Sequence, residues 1–235
     1  MGRAFEYRKA TKLKRWANMS ETFTRIGKEI TMAVKEAGDN PRNNLRLRMA
    51  IQNAKAANMP KENVERAIKK ATSKDQADYK EVIYEGYAPH GIAALIETAT
   101  DNHVRTVANI RSIFNKYGGS LGTQGSVDFM FERKCFIKIE KPDMDIDELE
   151  LELIDYGAEE VFADGDEVMI YGAFSDFGAL TAAVEERGLK VITTGFERVP
   201  MDLKELSDEE KAEVETVLEK LEEDDDVQYV FTNMK

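Results

Sequence analysis

The side chains able to do chemistry fall into two groups: cations mixed with aromatics near the start, and scattered carboxylates, histidines and glycines further on. Residues 3–16 read RAFEYRKATKLKRW. Arg3, Arg8, Lys9, Lys12, Lys14 and Arg15, with Arg25 just beyond, accompany Phe5, Tyr7 and Trp16. Cations neutralise a phosphate backbone and aromatic rings stack on bases, so this mixture suits a nucleic acid. Lys12, Lys14, Arg15 and Trp16 are the contacts expected from this arm. The competing expectation is a loosely held basic terminus whose aromatics fold back on the first helix. Arg42, Arg46, Arg48, Lys55, Arg66, Lys69 and Lys70 follow as further candidate phosphate contacts.

The other group offers little catalysis. The loop GGSLGTQGS at 118–126 has backbone N–H groups that can cradle phosphate. It lacks the Gly-Lys-Ser/Thr ending of a P-loop and does not space its glycines as GxGxxG. It reads as a helix-to-strand connection that uses glycine for positive φ. His103 and Arg105 beside Asp101 resemble acid–base machinery, but no nucleophile accompanies them, and a helix start explains them better. His90 sits in a turn and is expected to face solvent. Cys135 alternates with Ile137 and Ile139 and reads as a small buried hydrophobe. The acidic run Glu222–Asp226 reads as a solvated loop, since five consecutive acids cannot all face one ion. One cysteine allows no intrachain disulfide and no cysteine-based zinc site, and two distant histidines make a poor metal centre. No catalytic residue, metal or cofactor is expected.

The elements that must position these side chains divide by charge. Of 235 residues, 42% are hydrophobic and 33% charged, as in a folded protein. Residues 1–74 hold 18 Lys and Arg against 7 Asp and Glu, a net of +11; residues 75–235 hold 15 against 38, a net of −23. The chain-wide −12 therefore hides a cationic head on an anionic body. Such a head is an electrostatic footprint for a polyanion. The opening MGRAFEYRK has no apolar stretch for a signal peptide, and Glu6 stands where myristoylation needs Ser or Thr. The apolar run Ile92–Ile96 is far short of a membrane span. A cytoplasmic protein with no membrane partner and no obligatory small-molecule ligand is expected.

Three helices are expected in the head. Phe23, Ile26, Ile30, Val34 and Ala37 mark the first, which Gly38 stops. Asn40-Pro41 reads as the start of the second, with Leu47, Ala50, Ile51, Ala54 and Ala57 inward. Val64, Ala67, Ile68 and Ala71 mark the third. The polar stretch 73–78 reads as a linker. A helix-turn-helix is one reading of these helices; a plain packing unit is the other.

The body reads as α+β. Strands are expected at 81–87 and 92–98, a helix from Asp101 or Asn102 to about Tyr117, and a strand at 127–131 with Val127, Phe129 and Phe131 inward. Residues 133–199 follow the order βαββαβ, the ferredoxin-like pattern. Within them ELELEL at 148–153 alternates like a strand, but Ile146, Leu149, Leu153 and Tyr156 also fit a helix that Gly157 ends. Helix is the expectation. The tail adds a capping box at Ser207–Glu210, a helix and a last strand. The division expected is a basic helical domain at 1–79, a discontinuous α/β domain at 80–132 plus 200–235, and an inserted ferredoxin-like domain at 133–199. Ending the chain at residue 199 is then expected to unfold the 80–132 part, as cooperative unfolding would report.

Several segments resemble one family. NxRLRxAIxxAKxxNMPKxxVERAIKK from Asn44 to Lys70, YEGYxPxG from Tyr84 to Gly91, DNxxRTVAxIRxxFxKxGGxLGxxGSVxFxF from Asp101 to Phe131 and DDVQxV from Asp225 to Val230 are similar to the YebC family. The family commonly opens with Gly-His-Ser-Lys-Trp, whereas Gly2 here leads into Arg-Ala-Phe-Glu-Tyr. The resemblance implies three domains and a cytoplasmic non-enzyme. It implies a DNA-binding regulator of transcription or, as in mitochondrial relatives, a ribosome-associated factor that aids translation of proline-rich stretches. Charge does not separate DNA from ribosomal RNA. Two rivals are an acylphosphatase-like hydrolase, for which Arg111 and Asn115 would have to serve, and an adaptor that touches no nucleic acid.

Overall fold

The computed structural model describes residues 19–73 and 78–235. The basic arm, with Lys12, Lys14, Arg15 and Trp16, lies outside the described residues, as does part of the expected linker.

Among the described residues, three helices form the first unit: α1 Met19–Ala37, α2 Leu45–Ala56 and α3 Lys61–Ala71. Ile26, Ile30, Ala33 and Val34 of α1 pack on Leu47, Ala50 and Ala54 of α2 and Val64 and Ala71 of α3. Gly38, at φ +85°, ends α1 in a conformation that glycine adopts freely. The second helix does not start at Asn40-Pro41. Asn44 is its N-cap, accepting from the Leu47 amide at 3.0 Å. The buried Asn44 amide also donates to the Ala33 and Gly38 carbonyls at 2.7 and 2.8 Å. It thus caps α2 and closes α1 at once, while the Asn40 side chain accepts from the Arg42 amide in the preceding turn.

The body holds two four-stranded antiparallel sheets. The first is ordered β3-β1-β2-β8, from β1 Lys80–Ala88, β2 Ile92–Thr100, β3 Ser120–Leu121 and β8 Val227–Thr232. Helices α4 His103–Lys116 and α7 Asp208–Glu222 cover one face. Ile92, Ala94 and Ile96 meet Ile110, Phe114, Val214, Val217 and Leu221 there. The last strand of the chain thus lies beside β2, about 130 positions earlier in sequence. The second sheet is ordered β5-β6-β4-β7, from β4 Phe131–Glu140, β5 Ala158–Asp164, β6 Glu167–Ala173 and β7 Val191–Pro200. With α5 Ile146–Ile154 and α6 Phe177–Glu186 this unit has the ferredoxin-like connection and strand order. ELELEL is helical: Leu149 and Leu153 are buried, and Leu151 points to solvent.

One expected strand is absent. Residues 127–131 do not alternate inward; Asp128–Met130 form a 3₁₀ turn, and Phe129 is 67% exposed. The cause is Glu85. Its buried carboxylate accepts from the amides of Gly125, Val127 and Asp128 at 2.6, 2.7 and 2.8 Å. Amides held by a carboxylate cannot also pair in a ladder.

Candidate nucleic-acid interface

The apolar stripes of α2 and α3 turn Lys55, Arg66, Lys69 and Lys70 outward. All four are exposed, as is Arg42 in the turn before α2, and none has an ion pair among the described residues. On α3, Arg66, Lys69 and Lys70 sit at three- and four-residue steps and share one side of the helix. Glu62 and Glu65 interrupt this face, and Glu65 takes Lys61 at 3.4 Å.

Two further candidates lie elsewhere. Arg46 is half-buried and pairs with Glu36 at 2.9 Å and with Glu81 of β1. Arg48 reaches Glu185 of α6 at 3.2 Å. Both tie the helical unit to the body.

Sequence reasoning missed how far this docking goes. Lys28 of α1 is buried and donates to the Ala99 carbonyl at 2.9 Å, the Asp225 carbonyl at 2.7 Å and the Asp226 carboxylate at 2.9 Å. The other Asp226 oxygen accepts from Arg105 at 2.5 Å, Thr106 at 2.9 Å and Thr100 at 3.2 Å. Burial works against charge on Asp226, but hydrogen bonds from Arg105, Lys28 and Thr106 outweigh it and hold the carboxyl down at about 2. Asp226 is thus the buried centre of a network and not part of a solvated loop. Arg105, expected at a helix start, is there, yet it also closes this network, and its Asp101 pair at 2.9 Å is the outer half. Two amides complete the docking. Asn53 donates to the Thr194 carbonyl at 2.8 Å and accepts from the Thr194 amide at 3.0 Å, and Gln52 donates to the Val191 carbonyl at 2.5 Å. They satisfy the free side of β7, which edges its sheet. The sequence signal was thin, because each partner lies 71 to 198 positions away.

The glycine loop does bind an anion, and the anion is the chain's own Glu85. Burial raises that carboxyl, but the three amides pull it below the ordinary range. Burial pushes the Glu29 carboxyl up, though Tyr229 donates to it at 2.7 Å. His90 is exposed as expected and contacts Glu213 at 2.8 Å. Cys135 is buried. Among the described residues, no cluster of His, Cys, Asp and Glu is arranged to hold a metal ion. No helix among them is long and apolar enough to cross a membrane.

Comparison with known proteins gives the same outline. Residues 3–74 match the family model for the TACO1/YebC protein N-terminal domain, and residues 79–234 match that for the TACO1/YebC second and third domain. A probable transcriptional regulatory protein of Flavobacterium johnsoniae is 63% identical over all of this chain and 99% of its own length. Another so named, from Parabacteroides distasonis, is 58% identical over all of this chain and 97% of its own. The crystal structure of a conserved hypothetical protein from Aquifex aeolicus superposes with a TM-score of 0.78 at 37% identity, covering 92% of this chain and 90% of that one.

Proposed function

The chain belongs to the TACO1/YebC family, and on that premise we propose that it is a cytoplasmic nucleic-acid-binding regulator of transcription that holds DNA through its phosphates. One observation carries the reading: Arg42, Lys55, Arg66, Lys69 and Lys70 are exposed and have no ion pair among the described residues, whereas Lys28, Arg46 and Arg48 of the same unit pair with carboxylates of the body. The names of the relatives support a regulatory role. In this reading the protein acts by binding and turns over no substrate. The net negative charge of the body disfavours non-specific contact over the rest of its surface.

A second reading is favoured by the composition of α3. Its exposed positions are Lys61, Glu62, Glu65, Arg66, Lys69 and Lys70, with no amide or hydroxyl among them. Such a face neutralises backbone better than it reads base edges, which suits ribosomal RNA and a role in translation. Binding of the full chain to a DNA duplex and to a structured RNA, measured across salt, tests both. With about six phosphates met, log affinity should fall against log salt with a slope near −4 to −5. Tighter binding of the RNA selects translation over transcription. Affinity indifferent to salt refutes both.

A further inference from the structure

The cleft between the helical unit and the two sheets contains a cation with no assigned partner. The cleft has a volume of about 770 Å³, and its wall includes Arg46, Arg133, Arg198, Glu81, Glu97 and Phe174. Most of these charges are committed. Glu97 accepts from Arg198 at 2.9 Å, and Arg198 also reaches Asp128 at 3.1 Å. Glu81 and Glu36 take Arg46. The exposed side chain of Arg133 has no ion pair or hydrogen bond among the described residues. Its guanidinium carbon sits 3.6 Å from the centroid of the Phe174 ring and 5.4 Å from that of Phe196. The two rings meet edge to face at 4.8 Å, and Phe174 is 40% exposed. A guanidinium is thus held on an aromatic ledge with its N–H groups unclaimed.

A second observation points the same way. Gln228, also in the cleft wall, is 5% exposed, and neither end of its amide has a hydrogen-bond partner among the described residues. A buried amide left so is destabilising, and a ligand edge in the cleft would satisfy it.

We infer that this cleft receives an unpaired nucleotide of the bound nucleic acid, with phosphate on Arg133 and base against the Arg133–Phe174 ledge. The inference rests on the nucleic-acid reading above and extends it into the acidic body. Planar guanidinium suits both halves of such a ligand, since it stacks on rings and donates in pairs to phosphate. The volume is that of a small-ligand pocket and far below that of a double helix. Helix α2 supplies Arg46, Met49 and Asn53 to the wall and Lys55 to the exposed face, so a strand on the helical unit has the cleft beside it.

The test uses the full chain and a fluorescein-labelled twelve-nucleotide single-stranded RNA, followed by anisotropy. Arg133→Gln should weaken binding about 5- to 20-fold and flatten the salt slope by about 0.7. Arg133→Lys should restore the slope without restoring the affinity, because it returns the charge and not the stack. Phe174→Leu should weaken binding in the same direction. Unchanged melting curves show that these surface variants fold. If Arg133→Gln binds the RNA like the parent while glutamines at Lys55, Arg66, Lys69 and Lys70 abolish binding, the cleft inference is wrong and the proposed function stands. If the parent itself fails to bind this single-stranded RNA while binding the duplex or the structured RNA, the cleft inference is overturned and the proposed function stands; if it binds none of the three, both fall.

Discussion

Lys28, Arg46 and Arg48 each meet a carboxylate contributed by the body, whereas Lys55, Arg66, Lys69 and Lys70 meet none among the described residues. Both sets belong to one small helical unit, and both contribute to the +11 of residues 1–74. The net charge of a segment therefore overstates what it offers a partner. Part of the charge segregation in this chain holds the chain together. The remainder is what a polyanion can meet. The inner set also shows depth: Lys28 lies in a buried network with three acceptors, while Arg48 lies in a half-exposed pair.

Substitutions on the inner side should hurt folding, in proportion to burial. Asp226→Ala leaves Lys28 buried without its counter-ion and should cost about 3–5 kcal/mol in urea unfolding. A loss below 1 kcal/mol would place the docking elsewhere.

The same network sets a pH dependence. Asp226 titrates at about 2 in the folded chain, against about 3.9 when unfolded. A depressed carboxyl contributes stability that is fully present above the unfolded value and is lost as pH falls from about 4 toward 2. Urea midpoints taken through that window should drop for the parent, and the drop should be smaller in Asp226→Asn. Equal drops would assign the acid sensitivity to other carboxylates.

Arg48→Ala breaks a pair whose partners are both about two-fifths exposed, at 42% and 47%. Its cost should stay under about 1 kcal/mol. A larger loss would show that the α2–α6 contact contributes more than its exposure implies. Smallest of all should be the stability effect of glutamine at each of Lys55, Arg66, Lys69 and Lys70, within about 0.5 kcal/mol per site.

Local order was legible in the sequence, and long-range use of side chains was not. The helix stripes of α1 and α3 and the helix at ELELEL followed from spacing, because burial on a helix repeats with its turn. The start of α2 was misplaced because Asn40-Pro41 and Asn44 are both good local signals. Only packing against α1 decides for Asn44. The expected strand at 127–131 failed for a similar reason: its alternation was real, but Glu85, some forty positions earlier, takes the amides. Among the candidate contacts, Arg46 and Arg48 have the same residue type and helical setting as Arg66. What separates them is a partner far along the chain, which spacing cannot reveal. Arg133 was invisible for the opposite reason, as a lone cation in an acidic body that only the fold sets on Phe174.

In the proposed function, polyanion binding resides in the outward cations. The direct measurement is the salt dependence of nucleic-acid binding by the full chain with Lys55, Arg66, Lys69 and Lys70 all changed to glutamine. This variant should keep its melting temperature and show a log–log slope shallower by about 3 to 4. An unaltered slope and affinity in a well-folded variant would contradict it.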